Sequence, residues 1–120
     1  MIPTDLKIGI VGPCSAGKTT LATGLKGRGY PNARPIAQEH SYVPYMWQRI
    51  TNPDILIFLE VSYDNAQLRR WLNWTPDEYQ EQLHRLDHAR QHANFILDTN
   101  PLSVDQVLET VLEYLDTMEI

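Results

Sequence analysis

Lys7-Ile8-Gly9-Ile10-Val11-Gly12-Pro13-Cys14-Ser15-Ala16-Gly17-Lys18-Thr19-Thr20 is the stretch on which the fold turns. It reads as a strand, a tight loop and the start of a helix. Gly12, Gly17, Lys18 and Thr19 fill the pattern G-x-x-x-x-G-K-[ST], the Walker A motif, and each residue type answers a demand of a bound polyphosphate. Gly12 and Gly17 allow a turn that a Cβ would penalise, so that successive N–H groups of the loop can converge on an anion. Lys18 brings a point charge to the β- and γ-phosphates, and Thr19 offers its hydroxyl to Mg²⁺. The helix that begins there directs its positive end at the same charge. An ordinary glycine-rich strand-to-helix turn could share this spelling, and the flanks separate the two readings. Leu6, Ile8, Ile10 and Val11 form a near-continuous apolar run before the loop, and Leu21 and Leu25 stand four apart after it.

Length and composition bound the rest. The chain has 120 residues, which predicts a single domain over 1–120, near the lower limit for a nucleotide-binding α/β unit. Apolar residues make up 42% and charged residues 21%, the balance of a globular chain rather than a disordered one. The net charge of −5 argues against a protein built to grip a nucleic-acid backbone or an anionic membrane surface. Cys14 is the single cysteine, so no internal disulfide is expected. Neither a membrane-length apolar run nor a signal-peptide pattern is present, and a cytoplasmic protein is the expectation.

Along the chain, Gly27-Arg28-Gly29-Tyr30-Pro31-Asn32 is a cluster of helix breakers that ends the first helix. Arg34 to Tyr42 is read as the second strand. Its own pattern is weak, but a β-α-β unit needs a parallel partner for the first strand and this is the candidate before residue 54. Val43 to Ile50 holds a short helix, closed by Asn52-Pro53. Asp54-Ile55-Leu56-Ile57-Phe58-Leu59-Glu60-Val61 is the strongest strand, expected at the sheet centre with helices over both faces. Ser62 can cap a helix from Tyr63 to about Leu72. Thr75-Pro76-Asp77-Glu78 is a capping box with proline at the first helical position, and predicts a helix to about His92 with Tyr79, Leu83, Leu86, Arg90 and Ala93 on one face. Asn94 to Asp98 reads as a last strand. Ser103-Val104-Asp105-Gln106 is a second capping box, opening a terminal helix whose stripe is Val104, Val107, Leu108, Val111, Leu112, Leu115 and Met118. The alternation predicts a small parallel sheet of about four strands, with ligand at the carboxyl ends of the strands.

With these elements placed, the chain resembles the kinase branch of the P-loop NTPases, which contains nucleoside and nucleotide kinases and shikimate and gluconate kinases. Gly12 to Thr20 carries the likeness most specifically. Pro53 to Asp64 followed by Arg69-Arg70 is similar to the thymidylate-kinase pattern of a P-D strand leading to an arginine-bearing helix. Asp98-Thr99-Asn100-Pro101-Leu102-Ser103 and its helix are similar to the end of shikimate-type kinases. The resemblance implies a P-loop NTPase fold, ATP and Mg²⁺ as cofactors, and transfer of the γ-phosphoryl group to a small-molecule or nucleotide acceptor that the sequence does not name. It implies that Pro13, Cys14, Ser15, Ala16, Gly17, Lys18, Thr19 and Thr20 hold the nucleotide's phosphates, that Thr99, Asn100 and Pro101 lie near the adenine, and that Arg69 or Arg70 neutralises transferring charge. Where such kinases place an Asp beside the loop this chain has Glu39, the candidate for metal or base beside Thr19. The guanine-reading N-K-x-D of GTPases and the L-S-G-G-Q of transporter ATPases are absent. The alternative is a nucleotide-dependent binding or regulatory module with little or no ATPase activity, which the Glu39-His40 pair and the lack of an acceptor-binding insert favour. A homo-oligomer stays open.

Other residues admit two readings each. Arg69 and Arg70 could instead be a basic helix end that suits the dipole. Arg90 is either paired with a carboxylate such as Glu60 or Asp98 or turned towards the site, and pairing is preferred. His84, His88 and His92 share one helix stripe, read as a solvated face in preference to a metal site. Tyr42, Tyr45, Met46, Trp47 and Arg49 form either a floor for an acceptor ring or the cover that the sheet requires, and the acceptor role is preferred because the segment follows Glu39.

Overall fold

The computed structural model describes residues 5–70 and 74–118, the side chain of Arg70 excepted. β1 (Ile8–Val11), β2 (Ala33–Pro35), β3 (Ile55–Glu60) and β4 (Phe95–Asp98) make one all-parallel sheet in the order β2-β1-β3-β4. α1 (Lys18–Lys26) follows β1, and α2 (Met46–Ile50) leads to β3. α3 (Tyr63–Arg70) and α4 (Pro76–His92) lie between β3 and β4, and α5 (Val104–Asp116) comes last.

β3 explains why the sheet needs covering twice. Its alternate residues Ile55, Ile57 and Leu59 pack in one cluster with Leu21 and Leu25 of α1 and Val107, Val111 and Leu115 of α5. Leu56 and Phe58 point the other way, into a cluster with Trp47, Leu86 and Ala89 from α2 and α4. Each such side chain removed from water contributes about 1.5–3 kcal/mol, so the unbroken apolar run requires helices on both faces. Gly24 lets α1 and α5 approach closely, because a Cβ there would meet Leu108 at 3.0 Å. The register pairs Val11 with Phe58 and Glu60 with Asp98. The loops that follow the strands therefore gather at one edge.

Both capping boxes form. The Thr75 hydroxyl accepts from Glu78 N at 3.2 Å and the Ser103 hydroxyl from Gln106 N at 3.2 Å, with the reciprocal side-chain bonds present. Each such cap contributes about 1 kcal/mol.

Two expectations need correction. The second strand does not extend over Arg34 to Tyr42: it stops at Pro35, which lacks an N–H for the ladder, and Ile36 N makes a last bond to Ile10 O at 2.8 Å. The chain then tightens into a 3-10 turn at Gln38–His40, so Glu39 stands in that turn and not at a strand end. The turn is anchored by Gln38, fully buried, whose side chain donates to Val43 O at 2.8 Å and accepts from Trp47 N at 2.9 Å. The buried face of α4 is also rotated from the expected one. Gln82, Leu86 and Ala89 are inside, whereas Tyr79, Leu83 and Ala93 are half-buried and Arg90 is exposed. In α5 the stripe holds at Val107, Val111 and Leu115, but Val104 and Met118 at its ends are exposed. Among the described residues, no helix is long and apolar enough to cross a membrane.

Candidate functional site

The loop between β1 and α1 is shaped by three backbone positions. Gly12 runs so close to β3 that a Cβ on it would lie 2.4 Å from the Leu59 carbonyl oxygen. Ser15, at φ 71°, and Gly17, at φ 98°, take left-handed conformations that curl the chain into the first turn of α1. Ala16 N donates to Pro13 O at 3.1 Å, and the first helical bond runs from Leu21 N to Gly17 O at 3.0 Å. Among the described residues the amides of Lys18, Thr19 and Thr20 reach no acceptor. A helix start leaves such donors for a side chain, water or an anion, and they carry the positive end of the dipole.

Lys18 folds back over this loop. Its Nζ donates to Gly12 O at 2.8 Å and Pro13 O at 3.1 Å and lies 2.8 Å from Glu39 Oε2. These three acceptors use all three ammonium protons. The ion pair is secluded, with 11% of the Lys18 side chain and 4% of the Glu39 side chain exposed. The desolvation cost of such a pair is offset only while both partners stay bonded. Glu39 Oε1 is buried without a hydrogen-bond partner.

Two distant side chains brace the loop. Gln82 of α4 accepts from Cys14 N at 3.0 Å through Oε1, and its Nε2 donates to Cys14 Sγ at 3.2 Å. Arg69 of α3 donates through Nη1 to Ser15 O at 3.2 Å and Thr99 Oγ1 at 3.0 Å, and through Nη2 to Thr99 O at 2.7 Å. Thr99, almost fully buried, in turn donates to Glu60 O at 2.7 Å. Arg69 thus ties the loop to the ends of β3 and β4. The side chain of Arg70 lies outside the described residues.

A cleft of about 1190 Å³ opens on the loop, lined by Cys14 to Thr20 with Glu39, His40, Arg69 and Thr99, and continuing towards α5. Gly12 and Pro13 do not line it but supply the carbonyls that hold Lys18. Asn100 turns away: its Oδ1 accepts from Ser62 N at 2.9 Å and Asn65 Nδ2 at 2.8 Å. It borders a smaller cavity of about 410 Å³ on the other side of Pro13, together with Glu60, Tyr79 and Arg90, and Pro101 lines neither space. There Tyr79 donates to Val61 O at 2.6 Å, and burial, aided by the Glu60 carboxylate, raises its phenol above the ordinary value. Arg90 pairs with Glu60 at 3.5 Å, as its place on the helix suggested.

None of Tyr42, Tyr45, Met46, Trp47 and Arg49 lines the main cleft. Trp47 is core, while Tyr42 is exposed beneath Arg85, whose Cζ lies 4.2 Å from the ring centroid. Of the five, Trp47 alone packs in the core against the sheet. The histidine stripe is not wholly solvated either. Trp47 Nε1 donates to His88 Nδ1 at 3.1 Å, and the His88 and His92 rings lie 4.3 Å apart, centroid to centroid. Thr99, expected near the adenine, lines the cleft, whereas Gln82 and His40 are the site residues that sequence reasoning missed. A glutamine on the buried face of an amphipathic helix was the available signal for Gln82. No family model matches this chain, and no curated protein matches it.

Proposed function

We propose that this protein binds Mg²⁺·ATP as a small P-loop NTPase and transfers the γ-phosphoryl group to a small-molecule or nucleotide acceptor. One observation carries the proposal: among the described residues the amides of Lys18, Thr19 and Thr20 are unpaired, these residues line a cleft, and the Lys18 ammonium is held there only by groups that a polyphosphate can replace. A phosphate entering the loop satisfies those amides and draws Nζ from Gly12 O, Pro13 O and Glu39. Glu39, relieved of the ammonium, then has a carboxylate to offer Mg²⁺ beside the Thr19 hydroxyl. Catalysis on this reading is positioning and charge neutralisation, with Lys18 and Mg²⁺ as the principal cations.

Arg69 favours a second reading. Its guanidinium is engaged by Ser15 and Thr99, so it serves as a brace for the loop, and a brace supports nucleotide binding without turnover. ADP release measured against a panel of nucleosides, nucleotides and hydroxylated metabolites separates the two. Acceptor-dependent turnover that is lost in Lys18→Ala supports the kinase. ATP binding without turnover on any acceptor supports the module.

A further inference from the structure

Three potential metal ligands meet at the edge of the cleft: Cys14 Sγ, a Glu39 carboxylate oxygen and His40 Nε2, all within 4.8 Å of one another. Cys14 Sγ lies 3.6 Å from His40 Nε2, and that nitrogen is 3.9 Å from Glu39 Oε2. For a tetrahedral ion with Zn–S of about 2.3 Å and Zn–N of about 2.05 Å, the S···N edge is about 3.6 Å, and the N···O edge is about 3.4 Å. The first edge is already met. The second, measured to the Oε2 that also holds Lys18, needs a shift of about half an ångström, which the His40 side chain, 61% exposed, is free to make.

A second observation is independent of that spacing. Glu39 is 3% exposed, and while Oε2 holds Lys18, Oε1 is buried and receives no hydrogen bond. A buried carboxylate oxygen without a donor is costly, and a cation is one of the few partners that repairs it. The fold fixes the other ligands nearby. Gln82 holds Cys14 through both its N–H and its sulfur, and the 3-10 turn sets Glu39 and His40 side by side.

We infer that Cys14, Glu39 and His40 form, in the nucleotide-free chain, a binding site for a borderline transition-metal ion, Zn²⁺ in the first place, which shares Glu39 with the Mg²⁺ of the proposed nucleotide complex. Thiolate, imidazole and carboxylate are donors for Zn²⁺ rather than for Mg²⁺, which takes oxygen ligands. On binding, the Cys14 S–H bond breaks, a sulfur–metal bond forms and the proton leaves to solvent; no electron transfer is involved. Three protein ligands leave a fourth position for water or a ligand oxygen, and all three residues line the cleft.

Co²⁺ titration of the full chain without nucleotide tests this, because a thiolate–Co²⁺ bond gives a charge-transfer band and tetrahedral Co²⁺ gives intense d–d absorption. The expected result is saturation at one Co²⁺ per chain, displacement by Zn²⁺ but not by excess Mg²⁺, and no band in Cys14→Ser. His40→Ala, at an exposed position, keeps the fold and weakens Co²⁺ binding at least about tenfold. Absence of the band in the wild-type chain, or a titration unchanged by His40→Ala, overturns the inference. A missing band beside normal Mg²⁺·ATP binding rejects the metal site alone, and a normal band without ATP binding rejects the nucleotide reading alone.

Discussion

Residues 8–26 and residues 33–50 flank the same cleft, yet they reach their structure by different routes. The first segment is dictated locally: an apolar strand, two left-handed turn positions and a helix start follow one another, and each residue type answers its own backbone position. The second has almost no local signal. Its short strand, 3-10 turn and five-residue helix are held by Gln38, whose bonds reach Val43, Trp47 and Arg85. The cleft therefore has one wall written in sequence order and another assembled by tertiary contacts, and Lys18–Glu39 joins them.

This contrast can be broken first at Gly12. Gly12→Ala puts a Cβ 2.4 Å from the backbone oxygen of Leu59, which no side-chain movement relieves. A loss of about 3 kcal/mol is expected in urea denaturation; wild-type stability in this variant would show that β1 and β3 are not so closely apposed. The other wall is tested by Gln38→Leu, which keeps the bulk but leaves Trp47 N without its acceptor and takes one donor from each of the Val43 and Arg85 carbonyls. The expected cost is about 2 kcal/mol. Should Gln38→Leu prove neutral, the second segment is ordered by its apolar contacts alone.

Smaller effects sharpen the same distinction. Ser103→Ala removes a cap that is purely local and should cost about 1 kcal/mol, measurable as a lowered thermal midpoint. Tyr79 gives a pH signature. Its folded phenol is raised above 10.0 by burial and by Glu60. The folded chain therefore keeps a proton that the unfolded chain releases, so stability declines as pH rises from about 10 through the raised value. Below that range the group has no effect. Tyr79→Phe should remove this share of the alkaline decline in urea midpoints, and an unchanged decline would place its cause elsewhere.

What could be read from residues alone follows the same division. The loop, β3 and both capping boxes were legible because their chemistry is complete within a few positions. The end of β2 was not, since Pro35 stops a strand only once its hydrogen-bonding partner is known. Nor was the rotation of α4, because Gln82 counts as a surface residue until the Cys14 amide needs an acceptor. Arg69 was legible in position but not in use: its bonds to Ser15 and Thr99 depend on where three separate strands end. The position of Glu39 after β2 puts it beside the loop, whereas its burial against Lys18 comes from the turn.

The most direct measurement is calorimetric titration of the full chain with Mg²⁺·ATP, beside the same titration of Lys18→Ala. Heat saturating at one nucleotide per chain is expected, with affinity falling roughly 10- to 100-fold in the variant as a charged hydrogen-bond donor is lost. No heat and no thermal protection in the wild-type chain, or equal affinity in a folded Lys18→Ala, would contradict this reading.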